Sequence, residues 1–162
     1  MGNAVILNEL QKSKNKKLKD QQKIIDWFTT DCNDYTHAVT LTFPFEMTNA
    51  DIAEIYYGRF KKYINERCFR RPKTDTDRIK MAVILEGAKF NKHLHYHCAM
   101  RCPTNLTEYD FSYRISKVWR HTVKNKIAHV DIQPYSNNGW IEYCTKEISA
   151  THTEGISIHN DF

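Results

Sequence analysis

The chain has 162 residues, of which 41% are hydrophobic and 27% charged, and its formal net charge is +5. This length suits one compact domain, and the composition excludes fibrous and disordered chains. The five cysteines include no Cys-x-x-Cys pair, and no secretory or membrane-spanning apolar run is present. We therefore expect a reducing compartment, no membrane and, from the excess of lysine and arginine, a polyanionic partner.

Lysines dominate the beginning of the chain, with six of them in the stretch 12–23. The sequence KIIDWFTT that follows predicts a short amphipathic helix. Its apolar residues are expected to pack onto the main body: Ile24, Ile25, Trp27 and Phe28. We predict a basic N-terminal extension over residues 1–35 and a folded main domain over residues 36–162.

Seven elements follow this extension, and hydrophobic periodicity separates them into strands and helices. In chain order they are a strand at 37–43, a helix at 48–69, strands at 79–86 and 93–100, a helix at 107–122, a strand at 127–133 and a helix at 138–148. The order β-α-β-β-α-β-α predicts an α+β fold, in which helices cover one face of a central antiparallel sheet.

Alternation along each strand assigns its side chains to two faces. The face beneath the helices is expected to hold Val39, Leu41, Phe43, Val83, Leu85, Leu94, Tyr96, Cys98, Ala128, Val130 and Ile132. The open face is expected to hold Thr40, Thr42, Glu86, His95, His97, Arg101, His129, Asp131 and Gln133. So polar a sheet face predicts a working surface.

Two histidines at alternate strand positions, His95 and His97, can both reach one divalent cation, and Glu86 can add a carboxylate oxygen across the hairpin. Three protein ligands leave about three positions of an octahedral Mn²⁺ or Mg²⁺ ion free for water and phosphate, as a catalytic site requires. His93 is the replacement ligand if one of the two histidines fails. A zinc site that includes Cys98 and Cys102 is a weaker alternative, because a buried strand cysteine is the simpler interpretation.

Three motifs resemble, in the same order, those of the HUH endonucleases: VTLTF at 39–43, HYHCAM at 95–100 and YCTK at 143–146. The resemblance spans residues 36–148 and is closest to the single-tyrosine Rep proteins that initiate rolling-circle replication. It implies an RRM-like HUH fold and a sequence-specific, metal-dependent enzyme that nicks and rejoins single-stranded DNA. Tyr143 would form a 5′-phosphotyrosine intermediate, and Lys146 would assist it electrostatically.

Other functions and another nucleophile stay open at this point. A single-strand transposase of the same superfamily usually has a glutamine four residues after its tyrosine, where this chain has Glu147. A non-catalytic RRM-like domain would bind nucleic acid through open-face aromatic residues, which the strand positions lack. Tyr135 competes with Tyr143 as the nucleophile, but no lysine follows it three residues later.

The resemblance also implies the partners. Single-stranded DNA at a replication origin is expected to contact Thr40, Thr42, Arg101 and Gln133, with help from the basic stretch 59–73. The chain contains no GxxxxGK[ST] phosphate loop, so a helicase of the host or the replicon is the expected second partner. The expected location is the cytoplasm of a prokaryotic host, or the host nucleus if the replicon is a eukaryotic virus.

Overall fold

The computed structural model describes residues 12, 14–16, 19, 21–23, 25–26, 34–69, 78–87, 93–136, 139–147 and 157. Its elements are β1 (His37–Thr42), α1 (Ala50–Phe69), β2 (Met81–Glu86), β3 (His95–Met100), α2 (Glu108–Thr122), β4 (Val130–Pro134), α3 (Gly139–Cys144) and a 3₁₀ turn (Thr145–Glu147). The predicted α+β class and element order are confirmed. Among the described residues, no helix combines the length and apolar character needed to cross a membrane.

The four strands form one antiparallel sheet in the order β2-β3-β1-β4. Its register places His95 opposite both Glu86 on β2 and Thr42 on β1, and it places His97 opposite Thr40. Directly opposite residues have Cβ atoms about 5 Å apart. The register therefore brings the predicted carboxylate beside the predicted histidines.

Helices α1 and α2 pack on one face of the sheet, over the predicted apolar side chains. Asn49 caps α1 by accepting a hydrogen bond from the Ile52 N–H, and Thr107 caps α2 by accepting one from the Asp110 N–H. The largest side chains of this core are fully buried: Tyr57, Phe60, Tyr96, Phe111 and Trp119. This aromatic core holds β1 and β3, and with them the polar residues on their opposite face.

The second face of the sheet is only partly open, which corrects the prediction that helices cover one face alone. Small and branched apolar side chains on β2 and β3 pack there with two buried residues of α3, Ile141 and Cys144. The continuous run MAVIL in β2 is typical of a strand buried on both sides, and this explains the second packed face. Ile25 joins this cluster, so it packs onto the main body as predicted, whereas Ile24, Trp27 and Phe28 lie outside the described residues.

Substitution of Trp119 tests whether the helix-covered core holds β1 in place. The side chain is fully buried, its indole N–H donates to the Thr42 carbonyl at 3.0 Å, and its ring packs edge-on against Phe43. We expect Trp119→Ala to lower the free energy of unfolding by about 3–5 kcal/mol in chemical denaturation, through lost burial and a cavity. Tyr109→Ala on the same helix is the control, because Tyr109 is 81% exposed, and an equal loss there would contradict this assignment.

Candidate functional site

The side chains of Glu86, His95 and His97 meet where β2 ends and β3 begins. Their candidate ligand atoms all lie within 4.8 Å of one another. The Nε2 atoms of His95 and His97 lie 3.0 Å and 2.6 Å from the same carboxylate oxygen, Oε2 of Glu86. These three atoms can be held together by shared protons or by one divalent cation, so the trio could hold a metal ion.

The other ring nitrogen of each histidine has its own partner. Nδ1 of His95 donates to the carbonyl oxygen of His93 at 3.3 Å, and Nδ1 of His97 lies 3.1 Å from the hydroxyl oxygen of Thr40. Such partners orient metal-binding histidines, because they hold Nδ1 away and direct Nε2 towards the ligand. Thr40 therefore has a structural role as well, since its hydroxyl positions the ring of His97.

The charges of the cluster keep its carboxylate ionised. Burial alone would raise the pKa of Glu86, but hydrogen bonds from Lys146 and His97 and the charges of both imidazoles outweigh it and lower the pKa to about 2. Burial lowers the pKa of His97, against the opposing effect of Glu86. The lowered pKa of Glu86 favours its ionised form and the lowered pKa of His97 favours its neutral form, and these are the forms that bind a metal ion.

Lys146 and Tyr143 lie beside the cluster because α3 packs on this face of the sheet. The Lys146 ammonium is 2.6 Å from Oε1 of Glu86 and 3.9 Å from the centre of the Tyr143 ring. Burial lowers the pKa of Lys146, but hydrogen bonds to Glu86 and Tyr143 raise it by more. The Tyr143 ring lies 6.1 Å from the ring of His97, and 54% of the residue is exposed, so a ligand from solvent can reach this side chain.

Trp140 is a residue of this site that the sequence analysis missed. Its ring stacks on that of Tyr143 with centres 6.4 Å apart, and it packs edge-on against His97 at 5.2 Å. It therefore limits how the tyrosine ring can turn. The available signal was its position three residues before Tyr143, which places both rings on one side of a helix.

Two predicted DNA contacts lie outside this cluster. Arg101 forms an ion pair with Asp34 at 2.6 Å, and Gln133 donates to Asp131 at 3.1 Å on the edge strand β4. Thr42, by contrast, pairs directly with His95 in the sheet. Of the four predicted contacts, the two threonines are therefore adjacent to the histidines.

The remaining candidates take other places in the fold. His93 accepts a hydrogen bond from the Met47 N–H, and the ring of Tyr135 packs edge-on against that of Tyr35. Cys98 is fully buried in the helix-covered core, where burial raises its pKa to about 12. The zinc alternative is therefore wrong for Cys98, because the sheet separates its sulfur from the two histidines.

Compared with protein-family models, with curated proteins and with solved structures, the chain matches none. A function for this chain therefore has to follow from its own side chains. The side chains that carry most weight are the Glu86, His95 and His97 trio, with Tyr143 and Lys146 beside it.

If Glu86, His95 and His97 are the metal ligands, substitution of His95 should weaken metal binding and substitution of the nearby His93 should not. We expect His95→Ala to weaken Mn²⁺ binding by more than about 100-fold, because it removes a ligand rather than a supporting contact. His93→Ala is the control and should leave the affinity within a few-fold of the unchanged protein. Isothermal titration with Mn²⁺ measures both, with circular dichroism to verify folding. Unchanged binding by His95→Ala would contradict the ligand set.

Proposed function

We propose that this chain is a metal-dependent single-stranded DNA endonuclease of the HUH type that initiates rolling-circle replication. The observation that carries the proposal is that a tyrosine, an ammonium group and a Glu-His-His trio share one small site. The strand order β2-β3-β1-β4 with two intervening helices supports it, since this is the split βαβ arrangement of RRM-like folds. The site lies at the polar end of the second face, which α3 leaves open for a single strand.

The reaction that this site suits is a transesterification. The phenolic oxygen of Tyr143 attacks the phosphorus, a P–O bond to tyrosine forms, and the bond from phosphorus to the 3′ oxygen breaks. The phenolic proton is lost and the 3′ oxygen gains one, which leaves a free 3′-OH and a 5′-phosphotyrosine. Attack by a 3′-OH reverses the step and rejoins the strand, so no ATP is needed.

The residues around Tyr143 make the attack easier. A phenol is a weak nucleophile, and the Lys146 ammonium beside the Tyr143 ring can stabilise charge on the reacting phosphate. Trp140 restricts the tyrosine ring. Mn²⁺ or Mg²⁺ held by Glu86, His95 and His97 would supply Lewis-acid polarisation of the phosphate.

The proposal includes how the DNA is held and where it comes from. A single strand lies across the polar end of the second face, along Thr42, Thr40 and the histidines. Arg101, which follows β3, and Gln133, on the edge strand β4, lie away from this end. The substrate is a replication origin, and a helicase of the host or replicon supplies unwound DNA. The cellular location follows the replicon: the cytoplasm of a prokaryote or the nucleus of a eukaryotic host.

Tyr143→Phe is the sharpest test, because it removes one oxygen and leaves the ring stacked on Trp140. We expect it to abolish covalent adducts with a labelled random pool of single-stranded DNA in Mn²⁺, while Mn²⁺ binding persists. Tyr135→Phe is the matched control and should form adducts normally. Mass spectrometry of the trapped DNA-peptide identifies the attached residue. Adducts at Tyr135, or undiminished cleavage by Tyr143→Phe, would overturn the mechanism.

Lys146→Ala separates electrostatic assistance from metal binding. We expect adduct formation to slow by about 10²–10³-fold, which is the usual effect of removing one such charge-stabilising contact. Mn²⁺ affinity should not fall, because the substitution removes a cation that competes for Glu86. Lys62→Ala on α1 is the control, since its side chain is 70% exposed. A parallel loss of Mn²⁺ affinity would assign Lys146 to the support of the metal site instead.

A further inference from the structure

A groove of about 730 Å³ lies on the helix side of the protein, between α1 and the C-terminal end of α2. We call it the helix-side groove. Its lining includes Tyr63 and five cationic residues: Arg59, Lys117, Arg120, Lys124 and Lys126. The groove belongs to the helix layer, so the sheet separates it from the metal trio on the second face. The basic helix position Arg59, which was predicted to contact the single strand, therefore lies on a different surface.

The charge of the helix-side groove is not balanced locally. Its lining contains no aspartate or glutamate, and none of its five lysines and arginines forms an ion pair within the described part of the chain. The adjoining groove along the same helices differs, because Glu66 and Asp110 contribute to its lining. Positive charge is thus concentrated at one place on the helix layer.

Compensation of the helix dipole explains only part of this cluster. Cations are favoured at the C-terminal end of a helix, which accounts for Arg120 and for Lys124 just beyond α2. Arg59 belongs to the middle of α1, and Lys117 precedes the last turn of α2. Two helices therefore direct cations into one groove, and a polyanion is the ligand that this arrangement favours.

We propose that the helix-side groove binds the phosphate backbone of double-stranded DNA. Proteins bind single strands largely by stacking bases on aromatic rings. The described residues of the lining include no exposed tryptophan, tyrosine or phenylalanine: Tyr63 is partly buried and packs against His121 with ring centres 5.6 Å apart. A groove with five cationic residues and so little stacking surface suits a backbone that displays regularly spaced phosphates, as a duplex does. The choice of DNA among polyanions rests on the proposed function.

The test uses a triple variant of exposed groove residues, Arg59→Gln, Lys117→Gln and Lys126→Gln, and a labelled duplex of about 20 base pairs. EDTA is present, so the metal trio does not contribute. At about 0.1 M salt we expect duplex affinity, measured by fluorescence anisotropy, to fall by roughly 10- to 100-fold. The slope of log affinity against log salt concentration should become shallower by about two to three, one for each lost phosphate contact.

The matched control removes the same charge from the N-terminal segment, through Lys14→Gln, Lys16→Gln and Lys19→Gln, all of them exposed. It should change duplex affinity by no more than about threefold, because salt screens exposed charges that lie far from the ligand. An equal loss in both triple variants would overturn the groove assignment. An equal loss of binding to poly-glutamate, or a larger loss for a single strand than for the duplex, would overturn the duplex assignment.

Adduct formation on a short single strand is measured in parallel with the groove variant. Normal adducts together with weakened duplex binding are the expected result. Normal adducts with unchanged duplex binding would refute the groove and leave the nuclease proposal standing. Weakened duplex binding by a protein that forms no adduct in any variant would refute the nuclease proposal and leave the groove as a duplex site.

Discussion

The carboxylate of Glu86 is the constraint on which the rest of the site depends. Its side chain is only 12% exposed, and a charge so far removed from water is costly unless it is paired. One oxygen accepts from both imidazoles and the other accepts from the Lys146 ammonium. Two strands and the turn after α3 thus converge on a single group. The same contacts that stabilise the buried charge also bring the tyrosine-bearing helix to the histidines.

One end of the second face packs against α3, and the other end carries the residues of the candidate site. At one end, small side chains such as Ala82 and Ala99 leave space for α3 to pack closely. At the other end, threonine, histidine and glutamate occupy the same row of opposite residues. Since both ends belong to the same rigid strands, the packing of α3 sets the distance between Tyr143 and His97. The geometry of the candidate site therefore depends on apolar contacts made by residues outside it.

The candidate site and the helix-side groove lie on opposite sides of the sheet and differ in charge. The site on the second face has the carboxylate of Glu86 at its centre. The lining of the helix-side groove has five cationic residues and no carboxylate. A sheet and an aromatic core lie between the site and the groove. This separation keeps the five cationic residues of the groove away from the carboxylate of Glu86.

The sequence by itself determined the local patterns: the strands, the two long helices, the shared face of His95, His97 and Glu86, and the spacing of Tyr143 and Lys146. Each follows from backbone periodicity, which near neighbours in the chain establish. Only the tertiary structure decided that α3 packs on the second face, that Thr40 contacts His97, that Trp140 stacks on Tyr143, and that Arg59 faces away from them. These four arrangements depend on which apolar surfaces remain to be buried once the sheet has formed. That choice is made between residues far apart in sequence. A local pattern such as the run MAVIL, or the spacing of Trp140 and Tyr143, shows that a surface can be buried but not which partner covers it.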